Sequence, residues 1–243
     1  MNINGNLYLI IENPGVIIMS EYSSKLAEAG LKIKAIKLKP NQPFLWASGF
    51  HMPIYNDNRM FLYYPEYRKL IANSFKDIIE KENIDFDIVA GTSTSGIPHG
   101  AILAELMNKP FIYIRDKAKG HGLKNQIEGI DAESDLDGKK VIVIEDLIST
   151  GGSSAKAVQA VRDANGIVDY CIAIFSYGLE KAMNAFDTLD ESCNVRSILT
   201  YDVLLDTAKR INYIDDRQQA LLAEWRKDPF GWGDKNGFPK VEK

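Results

Sequence analysis

Cysteine is scarce in this sequence, with only Cys171 and Cys193 among 243 residues. Two cysteines cannot form the disulfide framework of a small secreted protein, and their separation does not match the spacing of metal-binding cysteines. Cys171 lies in an apolar run, which predicts a buried core residue. Because this usage suits a reducing compartment, we expect a cytoplasmic protein.

Long apolar runs are also missing. Two short apolar segments near the N-terminus, 7–11 and 16–19, are separated by the polar, turn-forming segment 12–14. Neither reaches the length of a membrane-spanning helix, and the interruption does not suit a signal peptide. We therefore expect no membrane association and no function for residues 1–18, with Met19 as an alternative start.

A strong excess of charge of either sign is absent, since the formal net charge is −4 at pH 7. Such a protein has no general attraction for nucleic acid or for anionic membranes. A polyanionic substrate would therefore need a locally basic segment. The hydrophobic fraction of 45% is ordinary for a globular protein and is sufficient for a sizeable core.

Two common nucleotide-binding patterns, the P-loop and the GxGxxG fingerprint, are absent. Residues 141–154 instead have the sequence VIVIEDLISTGGSS. The four β-branched residues predict a buried parallel strand, with Glu145 and Asp146 following at its end, and a turn of small residues leads into a predicted helix over 155–161. A helix N-terminus there offers free N–H groups to a phosphate, and the carboxylates suit sugar hydroxyls or a nearby Mg²⁺. The segment therefore predicts a phosphorylated sugar together with a metal.

Predicted strands and helices alternate along the chain. This alternation predicts an α/β fold with one mostly parallel twisted sheet flanked by helices. We expect one domain over 19–243, with a hood mainly over 19–63, a core over about 64–200 and C-terminal helices over 201–243. Strands are predicted over 84–90, 110–115, 141–144, 168–175 and 195–200, and helices over 20–29, 65–81, 97–107, 155–161, 180–189, 201–208 and 215–227.

The segment 116–138 has no apolar periodicity and is predicted to be a long loop, which in a compact domain is often functional. Residues 115–124 include four basic side chains and His121. Because they follow a predicted strand, they lie at the same sheet edge as the phosphate turn, where an acidic protein needs positive charge to hold a pyrophosphate. The alternative interpretation is a solvated surface loop.

These motifs resemble those of a known enzyme family. Segment 141–154 resembles the 5-phosphoribosyl-1-pyrophosphate (PRPP) signature of type I phosphoribosyltransferases. The spacing Arg-x-x-x-Lys-x-His-Gly from Arg115 is similar to the catalytic loop of orotate phosphoribosyltransferases. Phe-x-x-x-Ser-Gly-x-x-x-Pro-x-Tyr from Phe44 resembles their substrate hood, and 91–98 resembles their pyrophosphate-binding turn. The resemblance covers about residues 20–232.

The resemblance implies the type I phosphoribosyltransferase fold and a specific reaction. Members transfer ribose 5-phosphate from PRPP to N1 of orotate with Mg²⁺, which gives orotidine 5′-monophosphate and pyrophosphate in de novo pyrimidine (UMP) biosynthesis. A homodimer is also implied, with loop 115–124 of one subunit closing over the active site of the other. The expected partners are therefore PRPP and orotate, without nucleic acid or membrane.

The resemblance also implies roles for individual residues. Arg115, Lys119 and His121 are expected to be catalytic and to contact pyrophosphate. Ser149 is expected to hydrogen-bond orotate, and Mg²⁺ is expected to be held mainly by PRPP and water, without a direct protein ligand. The residues expected to bind PRPP are Arg115, Lys119, His121, Glu145, Asp146, Leu147, Ile148, Ser149, Thr150, Gly151, Gly152 and Ser153.

The sequence departs from the family pattern at Ala47, Ser95 and Asp116, where the best-known form has lysine. It also has no evident arginine for the orotate carboxylate at the end of a later strand, and Arg59 is an alternative. Two other functions stay open: phosphoribosyl transfer to a different base, and a regulator that binds PRPP without catalysis.

Five aromatic and histidine side chains that the motifs do not specify are given structural roles. His51 and His99 lie near predicted turns, which favours surface or capping positions. Trp225, Phe230 and Trp232 near the C-terminus are predicted to be packing residues.

Overall fold

A computed structural model describes residues 21–117, 126–131 and 134–242, and the expected extension over 1–18 lies outside this range. Within it the helices are α1 Glu21–Lys32, α2 Pro65–Lys81, α3 Gly96–Met107, α4 Gly152–Asp163, α5 Glu180–Asp187, α6 Tyr201–Arg210, α7 Asp216–Lys227 and α8 Trp232–Lys235, with a 3₁₀ helix over Asn58–Tyr63. The strands are β1 Ile36–Leu38, β2 Phe44–Leu45, β3 His51–Met52, β4 Ile54–Asn56, β5 Ile88–Thr92, β6 Phe111–Ile114, β7 Ile127–Glu128, β8 Lys140–Ile148, β9 Ile167–Ser176 and β10 Asn194–Thr200.

Six strands form the main sheet, in the order β10-β9-β8-β5-β6-β7. All neighbours pair in parallel except β6 and β7, which are antiparallel. The chain leaves β5 toward β6 on one side and leaves β8 toward β9 on the other. The two connections therefore diverge between β5 and β8, which is the position where ligands bind in open α/β sheets.

The β-branched run at the start of β8 explains why this strand lies in the middle of the sheet. Val141 and Val143 pack into one hydrophobic cluster, whereas Ile142 and Ile144 pack into another on the opposite face. Because successive side chains of a strand point to opposite faces, a strand covered on both faces must be apolar throughout. The mostly parallel α/β fold predicted from the sequence is confirmed, and Cys171 is completely buried as predicted.

Several boundaries differ from the sequence prediction. The strand predicted over 84–90 lies at Ile88–Thr92, because 84–87 connect α2 to the sheet. The strand predicted over 141–144 extends over Lys140–Ile148, so the carboxylates lie within β8 and do not follow it. The predicted loop 116–138 includes β7, which is too short to produce a periodic pattern. Helix α1 continues past Gly30 because that glycine serves packing: a Cβ there would lie 2.9 Å from Ile36 Cδ1 and 3.3 Å from the Phe61 ring.

Two small hairpin-like pairs and the 3₁₀ helix form the hood. Strand β1 pairs antiparallel with β4, and β2 pairs antiparallel with β3. Asp57 begins the 3₁₀ helix, since its side chain accepts a hydrogen bond from the backbone N–H of Arg59. This arrangement turns Asn58 away from solvent and toward the sheet, where it is fully buried.

The C-terminal tail, residues 228–242, packs against the hood. The backbone N–H of Val241 donates to Gly49 O at 2.9 Å, and His51 Nδ1 lies 3.0 Å from Pro239 O. Trp225 and Trp232 are buried, which confirms their predicted packing role. Phe230 is 37% exposed and contacts the Phe50 ring edge-on. None of the helices in the described ranges is long and apolar enough to cross a membrane.

Candidate active site

The candidate site is a crevice at the carboxyl ends of β5 and β8. Helix α3 begins there after β5, and α4 begins there after β8. Ser95 and Gly151 precede the two helices, and neither side chain caps the first turn. The N–H groups of both helix starts and the positive ends of both helix dipoles therefore remain available to anionic groups.

Glu145 is held rigidly at the floor of this crevice. Its Oε1 accepts hydrogen bonds from Thr92 Oγ1 at 2.8 Å and from the backbone N–H of Asp146 at 2.9 Å. Its Oε2 accepts one from Ser154 Oγ at 3.0 Å. The side chain is buried, so these donors replace the water that a carboxylate would otherwise bind. Strands β5 and β8 and helix α4 are thus connected through one carboxylate.

The Asp146 carboxyl has a strongly shifted pKa. Burial, followed by repulsion from Glu145 and their hydrogen bond, raises the pKa of Asp146 to about 7. Its backbone carbonyl accepts a hydrogen bond from Asn58 Nδ2 at 2.6 Å, which connects the hood to β8. Asp146 is half-buried, so its carboxyl is the more accessible of the two to a ligand.

The start of α4 is shaped by Gly151. Its φ of +76° lies in the left-handed region that favours glycine, and a Cβ there would lie 2.9 Å from Ala182 Cα. At Gly152, in contrast, an added Cβ would have nothing within 4 Å. Ser153 is exposed and Thr150 is half-buried. The first turn of α4 is therefore open on the side where a phosphate could approach its N–H groups.

The turn between β5 and α3 lies beside the carboxylates. A Cβ on Gly96 would collide with Thr92 Oγ1 and would lie 2.5 Å from Ile144 O. Only glycine therefore lets α3 begin so close to β8. The peptide bond between Ser93 and Thr94 is cis. The resemblance implies a pyrophosphate-binding turn over 91–98, and in the structure this turn lies next to the residues expected to bind ribose and phosphate.

Arg115 lies at the carboxyl end of β6, at the same edge of the sheet as the crevice. Its Nη1 donates to Glu128 Oε1 at 3.1 Å, and β5 separates its strand from β8. The structure therefore does not bring Arg115 together with Glu145. Lys119 and His121 lie outside the described residues.

The remaining predicted site residues differ in what they can offer a ligand. Ile148 is buried in the core, so only its main-chain atoms could reach a ligand. Leu147 is partly buried against the other core cluster, and Ser149 is half-buried at the end of β8. Residues 149–153 as a group follow β8 into α4, as the signature predicts.

The sequence motifs give no role to Thr92, Ser154 and Asn58, although all three hold the carboxylate segment in place. Thr92 and Ser154 donate to Glu145, and Asn58 donates to the backbone of Asp146. Thr92 and Ser154 lie within motifs of the sequence and Asn58 lies within the predicted hood over 19–63, so their hydroxyl and amide groups were the available signal. Only the packing of the hood and β5 against β8 shows which acceptor each one meets.

The expectation of a surface or capping role is wrong for His99. This side chain is buried in the first turn of α3, and burial lowers its pKa to about 4, so it is neutral at pH 7. Its Nε2 has no hydrogen-bond partner within the described part of the chain. His51 is half-buried and meets the tail through Pro239.

A metal ion would depend on the ligand for most of its coordination. Within the described ranges no group of three or more His, Cys, Asp or Glu side chains is placed to hold a metal. Glu145 already accepts three hydrogen bonds, which leaves Asp146 as the freer carboxylate. Such a donor set suits a Mg²⁺ ion that arrives on phosphate oxygens and keeps its waters.

Comparisons with known proteins identify relatives. The phosphoribosyl transferase domain family matches residues 60–183. Orotate phosphoribosyltransferase of Listeria innocua is 46% identical over 209 residues, which is 86% of this chain and 97% of that protein. The enzyme of the same name from Lactiplantibacillus plantarum is 45% identical over 215 residues, which is 88% of this chain and 99% of that protein.

Solved structures show the same fold. UMP synthase of Leishmania donovani superposes with a TM-score of 0.67 at 26% identity, covering 84% of this chain and 42% of that chain. Orotate phosphoribosyltransferase of Aeropyrum pernix superposes with a TM-score of 0.64 at 24% identity, covering 78% of this chain and 99% of that chain. The Mycobacterium tuberculosis enzyme in complex with PRPP has a TM-score of 0.56 at 23% identity, covering 75% of this chain and 98% of that chain.

Proposed function

The chain belongs to the orotate phosphoribosyltransferase family, and from this premise we propose that it transfers ribose 5-phosphate from PRPP to N1 of orotate. The products are orotidine 5′-monophosphate and pyrophosphate. The structural observation that carries the proposal is the position of Glu145 and Asp146 between two uncapped helix N-termini. This crevice has two places for anions and a hydrogen-bond acceptor between them, which matches the two phosphate-bearing ends of PRPP and its ribose.

The individual roles follow from this geometry. The first turn of α4, with Thr150, Gly151, Gly152 and Ser153, holds the 5′-phosphate through its N–H groups. Asp146 accepts hydrogen bonds from the ribose hydroxyls, while Glu145 holds the end of β8 in position. The turn before α3 receives the pyrophosphate. Leu147 and Ile148 contribute main-chain groups, and Ser149 contacts the base.

The reaction is a displacement at C1 of the ribose. The bond from C1 to the pyrophosphate oxygen breaks with its electron pair on the leaving group, the bond from N1 of orotate forms, and the N1 proton passes to solvent. The protein contributes positioning and fixed charge, without a covalent nucleophile. Mg²⁺ bound to the pyrophosphate would offset the negative charge that develops there.

The loop completes the site in this proposal. Arg115, Lys119 and His121 contact the pyrophosphate from a second subunit, so that the functional form is a homodimer. The location of Arg115 supports this assignment, since β5 separates its strand from β8 and its guanidinium is paired with Glu128, apart from Glu145 of its own chain. We also propose a cytoplasmic enzyme of pyrimidine synthesis, as the family resemblance implies.

Loss of orotate absorbance on addition of PRPP and Mg²⁺ tests the proposed function. We expect turnover with orotate and none of comparable rate with uracil, adenine or xanthine. Lys119→Ala in the same assay should lower kcat by on the order of 10²–10³, because it removes a donor to the developing charge. Turnover restricted to a purine would refute the acceptor, and PRPP binding without turnover of any base would favour a non-catalytic regulator.

A further inference from the structure

The carboxyl end of β8 pairs with a neighbouring strand on one side. Its pairing with β9 continues to Ile148, whereas its pairing with β5 ends at Ile144. Beyond Ile144, no strand in the described ranges pairs with β8 on the side of β5. Because a buried carbonyl without a donor destabilises the fold, this segment needs a hydrogen-bond donor from another element.

Asn58 of the hood supplies such a donor. Its Nδ2 donates to Asp146 O at 2.6 Å, and the residue is completely buried. Its Oδ1 accepts a hydrogen bond from Asn56 Nδ2 at 3.1 Å, which determines which end of the amide faces β8. The amide is therefore oriented by the hood before it meets the strand.

The backbone of the hood next to Asn58 is also fixed. The Asp57 N–H donates to Ala35 O at 2.8 Å, beside the pairing of β1 with β4. The Asp57 side chain accepts two hydrogen bonds from the Arg59 guanidinium, at 2.7 and 2.9 Å. A donor held in this way gives the main chain of Asp146 a defined position before any ligand binds.

The carboxyl group that binds ribose in the proposed function belongs to the residue whose carbonyl Asn58 holds. Without this amide, the Asp146 main chain would be ordered only when ribose binds, and the ordering cost would lower the affinity. We propose that Asn58 is a positioning residue for ribose binding, which makes the hood part of the ribose site. This inference rests on the proposed function and extends it to a residue of the hood.

A comparison of ligands with and without ribose hydroxyls tests this role. Calorimetry would give the dissociation constants of ribose 5-phosphate, inorganic phosphate and pyrophosphate for the parent and Asn58→Ala. We expect Asn58→Ala to weaken ribose 5-phosphate about 3- to 12-fold, the effect of losing one neutral hydrogen bond. Phosphate and pyrophosphate should stay within about 1.5-fold of the parent, since neither has a hydroxyl to donate to Asp146. In turnover, the KM for PRPP should rise and the KM for orotate should not.

Asn56→Ala is a milder variant that decides the question if Asn58→Ala does not fold. It removes the donor that orients the Asn58 amide, and within the described part of the chain Asn56 Oδ1 has no hydrogen-bond partner to lose. We expect it to weaken ribose 5-phosphate about twofold. Asn194→Ala is the matched control, because it removes an amide that donates to Asp169 O at the amino end of the sheet. This control should bind all three ligands as the parent does.

Two results would overturn the inference while leaving the transferase function intact. One is equal weakening of ribose 5-phosphate and phosphate by Asn58→Ala, which would show a general loss of structure. The other is parental affinity for ribose 5-phosphate in Asn58→Ala, or in Asn56→Ala if only that variant folds. A parent that binds ribose 5-phosphate no better than phosphate would also overturn it. A parent that binds ribose 5-phosphate as expected but turns over no base would refute the proposed function alone.

Discussion

Glu145 and Asp146 are adjacent in the sequence but have different surroundings. Three donors satisfy Glu145, whereas burial and the proximity of Glu145 raise the pKa of Asp146 to about 7. A ligand whose hydroxyls donate to Asp146 would favour its ionised form. Ligand binding near neutral pH should therefore release a proton from Asp146.

The shifted pKa predicts how stability depends on pH. The unfolded carboxyl titrates near 3.8, so between that pH and about 7 the folded state binds more protons than the unfolded state. The stabilisation from this proton is complete below pH 3.8 and is lost as the pH rises through 7. We expect the free energy of unfolding without ligand to fall by up to about 1.4 kcal/mol per pH unit between pH 5 and 7 because of this group. Asp146→Asn should abolish this decrease. Urea denaturation at each pH measures it.

Asp187→Asn provides the control for that titration, because it removes an exposed carboxyl at the end of α5. This variant should keep the pH slope of the parent. If Asp146→Asn and the parent show parallel curves over the same pH range, Asp146 does not titrate near neutrality in the folded protein.

At the residue scale, the sequence predicted the site but not the side chains that hold its carboxylates in place. The order of the apolar run, Glu145 and Asp146 was sufficient to predict a sugar-phosphate site. The donors Thr92 and Asn58 are 53 and 88 residues away from their acceptors. Such contacts depend on strand order and hood docking, which local patterns do not encode. The burial of His99 was missed for the same reason.

At the scale of elements, the β8–α4 connection is tightly constrained. Gly151 must adopt a positive φ and must also approach Ala182 of α5. The turn therefore depends on contact with a later helix as well as on its own sequence. A phosphate site built on backbone N–H groups requires this turn to stay rigid.

Two neighbouring glycines allow a matched test of that constraint. Gly151→Ala should lower the free energy of unfolding by about 2 kcal/mol or more, since it combines a left-handed backbone with a collision. Gly152→Ala should change it by less than about 0.5 kcal/mol, because its Cβ would point into open space. Chemical denaturation of both variants measures the difference. Equal stabilities would show that the turn relaxes without cost.

Element boundaries were predictable where local chemistry determines them. Helix α2 spans Pro65–Lys81 as predicted, because proline favours the first helical turn. Helix α7 begins after Asp215, which forms a capping box with Gln218. Strand β7 was not predicted, because a two-residue strand exists only through pairing with β6.

Across the whole molecule, the C-terminal tail supports the hood from outside. The Phe238 ring stacks on Trp232 at 6.2 Å and approaches His51 at 6.1 Å. A Cβ on Gly49 would collide with Val241 O, so glycine lets the tail approach the β2–β3 turn. The hood that bears Arg59 is thus enclosed between the sheet and the end of the chain.

Removal of one tail contact should loosen this support. Phe238→Ala should speed trypsin cleavage after Lys235 and Lys240 about tenfold, which corresponds to about 1.4 kcal/mol of local opening. Trypsin should cleave Val241→Ala at the parent rate, because the Val241 side chain is exposed and its hydrogen bond to Gly49 O uses the backbone N–H. Mass spectrometry of timed digests identifies the cut sites. Identical digestion of the two variants would mean that ring stacking does not hold the tail.

The divergence of the chain between β5 and β8 has a thermodynamic consequence. Asn58, Thr92 and the start of α3 belong to the first half of the chain, whereas the carboxylates and α4 belong to the second. A ligand that reaches both helix N-termini binds only when the two halves are assembled, so its binding free energy adds to the stability of the entire fold. A fragment of such a ligand, carrying one anionic group, would bind the same folded state more weakly and would therefore stabilise it less. Binding of the complete substrate therefore stabilises the association of the two halves of the sheet.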